Sequence, residues 1–316
     1  MAYILITGGS WFIGQHLAKK LLQDGENVIV FDRKNSSDIY QEERKRELWT
    51  FPNFQYIEGS LEKKENLEDV FKKYAFSLVY HLAAKTGVRN GGKDNDIYFA
   101  SNVIGFFHIL ELSKEYKVPH FIFASSSSIY GGNTKTPFSV EDKTDSPLSF
   151  YAATKKSNEL FAYSYHKLYG MNITGFRFFT VYGPLGRNDM MMDIFTRKIL
   201  KWETIDVHNN GKMKRDFTHV SDIVNGLLLA RTQKNDFQIY NLGNDSPVSI
   251  EYVIEILEKE IGKKALRNYK EMEIGEVLDT WADIAYTRER LGWSPKISIE
   301  EGIRDFVEQF KKNIGI

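Results

Sequence analysis

The stretch AYILITGGSWFIG, Ala2 to Gly14, decides how the rest of the chain is read. It begins with an apolar run that stops at a glycine loop, the pattern of a short buried strand. Beyond the loop, FIGQHLAKKLLQDG places Phe12, Ile13, Leu17, Leu21 and Leu22 at helical spacing and closes on Gly25, so a helix is expected there. A glycine loop between a first strand and a first helix turns backbone N–H groups and a helix N-terminus toward a pyrophosphate. Gly8 and Gly14 fit the outer positions of a T-G-x-x-G-x-x-G pattern. Trp11 takes the middle position, where a glycine normally lets backbone and phosphate approach because no Cβ intervenes. The next apolar run, NVIVFD, ends at Asp32, placed to accept hydrogen bonds from an adenosine ribose. A carboxylate there favours NAD over NADP by repelling a 2′-phosphate, and Arg33 beside it softens the preference. A tight strand–helix turn that binds nothing is the plainer alternative, and Trp11 brings it closer.

Working outward, strand-like FQYIEG, helical ENLEDVFKKY, strand-like SLVYHLAA, a long helical stretch around YFASNVIGFFHILELSKEYK, and strand-like HFIFASSSS follow in turn. Strands alternating with helices imply βαβ units and a parallel sheet covered on both faces, joined by right-handed crossovers. After about Phe179 the rhythm breaks, with Gly, Pro and charged residues interrupting YGPLGRNDMMMD and NNGKMKRDFTHV. Clear helical patterns return in SDIVNGLLLA, SIEYVIEILEKEIG and SIEEGIRDFVEQF. The expected fold is therefore α/β: a Rossmann-type doubly wound parallel sheet over residues 1–178, rejoined by 221–242, with a smaller C-terminal α/β substrate lobe over 179–316.

Composition narrows the function. The chain of 316 residues has 42 Lys plus Arg against 42 Asp plus Glu, and this balance argues against nucleic acid or an anionic membrane as partner. The absence of cysteine excludes disulfides and thiolate ligands or nucleophiles and fits a cytoplasmic location. The N-terminus has no basic region followed by a long apolar one, and no apolar run approaches the ~20 residues of a membrane span. His81, His208 and His219 lack metal-ligand spacing, so no metal is expected.

The chemistry is carried by FASSSSIYGG and, shortly after, YAATKKSNELFAYSYHKLYG. Tyr151 and Lys155 stand four residues apart and share a helix face. A free tyrosine, with a pKa near ~10, is a poor base at neutral pH. A neighbouring ammonium favours the phenolate and is expected to pull that value down. A serine hydroxyl opposite completes a proton-transfer device for an alcohol that loses hydride to a nicotinamide. Tyr-x-x-x-Lys alone is common on amphipathic helices; its place after a strand-end serine run gives it weight.

With HLAA, SSSSIYGG, YAATKK, RFFTVYGP, GRNDM and GKMKRDFTHVSDI added, the chain resembles, nearly end to end, the nucleotide-sugar epimerases of the extended short-chain dehydrogenase/reductases, in particular their UDP-glucuronate 4-epimerase branch. The resemblance implies that Tyr151 is the base, that Lys155 tunes it and binds the nicotinamide ribose, and that Ser126 shares the proton network. It implies NAD contacts at Gly8, Trp11, Phe12, Ile13, Gly14, Asp32, Ser60, Leu61, Leu82, Ala83, Ala84 and Asn102. For a UDP-sugar it implies Arg89, Ser127, Ser128, Thr180, Arg187, Arg215 and Glu276, with Arg215 on the diphosphate. A 4-keto uronate is a β-keto acid, prone to lose carbon dioxide when its carboxylate bond aligns with the carbonyl. Ser127, Ser128 and the guanidinium of Arg187 suit a carboxylate that must be held out of that alignment. Related decarboxylases carry an acidic residue within the serine motif, which this chain lacks. Where Ser60 and Glu276 stand the family usually has aspartate. A homodimer built through two helices of each subunit is also implied. Open alternatives are another UDP-sugar epimerase, dehydratase or decarboxylase, or a nucleotide-sugar-binding protein whose dinucleotide site Trp11 has spoiled.

Overall fold

A computed structural model describes residues 2–34, 38–87, 94–233, 236–271 and 279–315. Strands β1 (Tyr3–Thr7), β2 (Val28–Asp32), β3 (Phe54–Glu58), β4 (Phe76–His81), β5 (Phe121–Ser126) and β6 (Ile173–Phe178) join an edge strand, Phe237–Leu242, in one seven-stranded sheet. From that edge the order is β6, β5, β4, β1, β2, β3, and every pairing is parallel. The order reverses between β1 and β4, so a crevice opens where their carboxyl ends diverge, the usual ligand position in such sheets.

The strands form because both faces are covered, which demands near-continuous apolar sequence. Successive side chains point to opposite faces. Ile4 and Ile6 join one core with Leu17, Leu21 and Leu22 of α1 (Phe12–Gln23). Leu5, between them, joins the other with Phe106, Ile109 and Leu110. Helices α2 (Gln41–Leu48), α3 (Lys64–Lys73), α4 (Asn95–Tyr98), α5 (Gly105–Glu115) and α6 (Phe150–Tyr169) complete this part of the chain. After β6 the chain builds a third apolar cluster around α7 (Met191–Leu200) and the helices Ile250–Ile261 and Ile299–Asn313. Between these, α8 (Val220–Leu229) packs on α1, and Phe237–Leu242 pairs with β6 along its whole length.

The long helix read between Tyr98 and Lys117 is not continuous. A π-helical turn, Phe99–Ile104, separates α4 from α5. The wider turn carries Asn102 inward. Its amide donates to the Lys85 carbonyl at 2.9 Å and to Thr154 Oγ1 at 3.1 Å, and its oxygen accepts from Lys85 N at 2.8 Å. One side chain thereby ties the loop after β4 to α6.

Helix α6 is anchored by charge. Glu159, buried on α6, accepts from Arg177 of β6 in a two-point pair at 3.0 and 2.9 Å and from Ser125 Oγ at 2.6 Å. Arg177 also donates to Tyr130 Oη at 3.0 Å, and Tyr130 donates to Asn241 of the edge strand at 2.6 Å. Removing one partner of a buried ion pair strands the other without solvent. Glu159→Ala is therefore expected to lower the unfolding free energy by about 3–5 kcal/mol, read as a fall in the urea midpoint. A loss below about 1 kcal/mol, the value of an exposed pair, would show that this pair does not anchor the helix.

Candidate active site

The crevice begins at the glycine loop. Gly8 has φ +76°, and a Cβ there would lie 2.6 Å from the Ala83 backbone nitrogen, so the loop and the exit of β4 touch main chain to main chain. A Cβ on Gly14 would lie 2.2 Å from the Gly8 carbonyl oxygen, which lets α1 press onto the loop. Trp11 is different. Its backbone is extended (φ −95°, ψ 170°), a region open to any residue, and it precedes α1 with no side-chain cap and no acidic residue in the first turn. The first-turn N–H groups, including those of Phe12 and Ile13, have no intrahelical acceptors. These amides, the glycine cradle and Asp32 together fit the diphosphate and ribose of a dinucleotide.

Trp11, partly buried, borders a partly open cleft together with Asp32, Ser60, Leu61, Ala83 and Ala84. Leu82 leads into it, its N–H donating to the Thr7 carbonyl at 3.0 Å. The cleft is also walled by Arg33 and Glu62, which face each other at 3.3 Å. Burial pushes the Asp32 carboxyl up to about 6, against hydrogen bonds that favour its charged form. Ser10 supplies two of these to Oδ2, from its hydroxyl at 2.6 Å and its N–H at 3.1 Å; Arg33 N–H gives Oδ1 another at 2.8 Å. Nothing in the local sequence marks Ser10 for this role.

Across the crevice, Ser149 caps α6 by accepting from Ala152 N at 3.1 Å, and Tyr151 and Lys155 follow on one face. Lys155 is buried, its Nζ donating to the Ala124 carbonyl at 2.7 Å, and burial lowers its pKa to about 8. The Tyr151 phenol is pushed up from its ordinary value by burial, while the Ser126 hydroxyl, within hydrogen-bonding reach, and the charge of Arg187 pull the other way. This corrects the sequence expectation that Lys155 draws the phenol down. Desolvation of the buried phenol outweighs the favourable partners.

Ser126 Oγ accepts from the Ser128 hydroxyl at 2.9 Å and its N–H at 3.2 Å, while Ser127 opens the 3₁₀ turn Ser127–Tyr130. Arg187 lies close enough to bias both Tyr151 and Tyr98, and its fork holds Asp189 at two points, 2.9 and 2.7 Å. Asp189 was not singled out from the sequence. Thr180 N–H donates at 3.0 Å to the carbonyl of Asp216, the residue after Arg215, and the Arg215 guanidinium donates to the Lys214 carbonyl at 2.9 Å. Arg89 and Glu276 lie outside the described residues. Among the described residues no cluster of His, Asp or Glu could hold a metal ion, and no helix is long and apolar enough to cross a membrane.

A model of the NAD-dependent epimerase/dehydratase family matches residues 4–243. A UDP-glucuronate 4-epimerase of Thermodesulfobacterium geofontis is 41% identical, covering 99% of this chain and 98% of its own. UDP-glucuronate 4-epimerase 4 of Arabidopsis thaliana is 39% identical over 97% of this chain and 75% of its own. Among solved structures, the UDP-glucuronic acid 4-epimerase of Bacillus cereus in complex with UDP-glucuronic acid and NAD superposes with a TM-score of 0.90 at 33% identity, covering 98% of this chain and 99% of that one. The UDP-glucose 4-epimerase of Thermotoga maritima with UDP-glucose gives 0.90 at 32% identity, covering 99% of each.

Proposed function

Because the chain belongs to the NAD-dependent epimerase/dehydratase family, we propose that it inverts C4 of a UDP-sugar and that its natural pair is UDP-glucuronate and UDP-galacturonate. The observation that carries this reading is the position of Arg187, a guanidinium within charge reach of the Tyr151 phenol and already holding a carboxylate in its fork. Such a fork recognises a planar carboxylate at two points.

NAD, when bound by the glycine loop, Asp32 and Lys155, supplies a hydride acceptor that returns the same hydride, so none is consumed overall. The chain's own residues manage the proton and the carboxylate. Tyr151 takes the proton of the sugar 4-hydroxyl, with Ser126 sharing the hydrogen bond, and gives it back once the sugar has presented its other face. A phenol raised by burial holds its proton more strongly than a free one, so the charges that gather around it on binding set its strength as a base. Arg187, Ser127 and Ser128 hold the uronate carboxylate out of line with the C4 carbonyl, which protects the β-keto acid from losing carbon dioxide. Thr180 and Arg215 are assigned to the nucleotide side, and exposed apolar residues of α5 and α6, among them Phe107, Leu160 and Leu168, to a homodimer interface.

Four outcomes follow. Incubation with UDP-glucuronate yields UDP-galacturonate by proton NMR, and Tyr151→Phe lowers kcat about 10²–10⁴-fold with the fold intact; a UDP-pentose product, or none, overturns the assignment. Trp11→Gly binds NAD about tenfold more tightly, a gain of about 1.4 kcal/mol, by calorimetry. Equal affinity would acquit the indole, and no binding by the native protein would favour a nucleotide-sugar-binding role without catalysis. NAD affinity is full above the Asp32 midpoint of about 6 and falls as pH drops through it, because the protonated carboxyl accepts ribose hydrogen bonds poorly; Asp32→Asn removes that dependence. Leu160→Glu shifts the light-scattering mass from dimer to monomer, and an unchanged dimer mass places the interface elsewhere.

A further inference from the structure

The segment between β2 and β3 does more than connect strands. Arg44 of α2 is wholly buried and uses all three guanidinium nitrogens. Nη1 donates to Asp38 Oδ2 at 2.5 Å and to the Ser10 carbonyl at 3.4 Å. Nε and Nη2 both donate to the Leu185 carbonyl, at 3.0 and 2.8 Å, and Nη2 also reaches the Gly186 carbonyl at 2.9 Å. One turn earlier, Gln41 donates to Ser10 Oγ and to the Arg33 carbonyl, each at 2.9 Å.

The groups gathered by Arg44 belong to two separate segments, the glycine loop and the turn that leads into Arg187. Ser10 is part of the glycine loop and holds the Asp32 carboxylate by two bonds. Leu185 and Gly186 immediately precede Arg187. Leu185 has φ +51°, a left-handed conformation that a residue with a Cβ adopts only under strain. Its carbonyl, taken twice by one guanidinium, is held in that strained turn. A continuous path of hydrogen bonds thus runs from Asp32 through Ser10 and Arg44 to the peptide that carries Arg187.

We propose that Arg44 is a positioning residue that couples the two ligand sites, so that a glycine loop settled on NAD fixes the 185–187 backbone from which Arg187 grips the substrate carboxylate. The proposal rests on the function given above. Coupling of this kind is reciprocal: NAD tightens a UDP-uronate and the UDP-uronate tightens NAD by the same factor. Lysine cannot replace the guanidinium, because an ammonium keeps the ion pair with Asp38 but has no planar fork to span two carbonyls.

The experiment compares the native protein with Arg44→Lys and with Asp38→Asn/Arg44→Met, in which no buried charge is left unpaired. Binding of UDP-glucuronate and of UDP-glucose is measured with and without NAD. In the native protein NAD tightens UDP-glucuronate about fivefold or more and tightens UDP-glucose less. In either variant that gain falls toward unity and the preference for the uronate shrinks by about tenfold, while UDP-glucose binding changes little. Variants that only melt earlier, with coupling and preference at native values, overturn the proposal. Hydrogen exchange on the native protein needs no variant: NAD alone slows amide exchange across residues 185–190. A protein that takes up no NAD fails both this proposal and the function it rests on. One that binds NAD with exchange at 185–190 unchanged fails this proposal alone.

Discussion

Three consecutive residues of β5 hold three successive turns of α6, and the rest of the site depends on that zipper. Ser126 faces Tyr151, the Ala124 carbonyl takes Lys155, and Ser125 takes Glu159. Tyr151, Lys155 and Glu159 fall at four-residue spacing along one stripe of the helix. The Glu159–Arg177 pair sets the register of this stripe more than it adds stability, since burying two charges costs about what their attraction returns. A slide of α6 by one turn would bring Lys155 opposite Arg177, two cations without solvent between strand and helix. That alternative is closed by charge, so Tyr151 is delivered to Ser126 by an ion pair two turns away.

The glycine loop shows which of its positions are dictated by the protein itself. Gly8 and Gly14 are fixed by main-chain contacts with Ala83 and with each other, before any ligand is considered. Position 11 carries no such demand. Its backbone is extended, and a side chain there leaves the loop's own geometry undisturbed. Trp11 therefore leaves the fold alone and acts on the cleft it borders. Its effect is one of volume and stacking surface beside Asp32, whereas a left-handed requirement at position 11 would have broken the loop itself.

The central sheet was legible because strands buried on both faces must be written in continuous apolar runs, and VIVFD and FIFAS can hardly be anything else. The placing of Tyr151 within reach of Ser126 could be anticipated from helical spacing and a strand-end serine run. What could not be read depends on distance along the chain. QEERKREL has one apolar residue, so α2 leaves no apolar stripe to find; it folds because Gln41 and Arg44 are satisfied by Ser10 and Leu185, the latter 141 residues away. The π turn before α5 is likewise set by partners of Asn102 on two other elements. The direction in which Tyr151 shifts turns on burial, which a spacing rule does not contain.

The pairing of Arg187 with Asp189 changes what recognition of a uronate means in the proposed reaction. A substrate carboxylate entering the fork replaces a carboxylate that is already there, so binding is an exchange of one two-point ion pair for another. Asp189 is 62% exposed and returns to water at little cost. Arg187 is only 22% exposed, and a pocket that excluded Asp189 without replacing it would leave that charge poorly solvated. A neutral hexose need not displace Asp189, so it meets a neutralised pair and is tolerated. Under that proposal, discrimination would come from how well the incoming carboxylate fits a fork held in place by the backbone behind it, and the strained peptide at Leu185 would then contribute to recognition of the sugar.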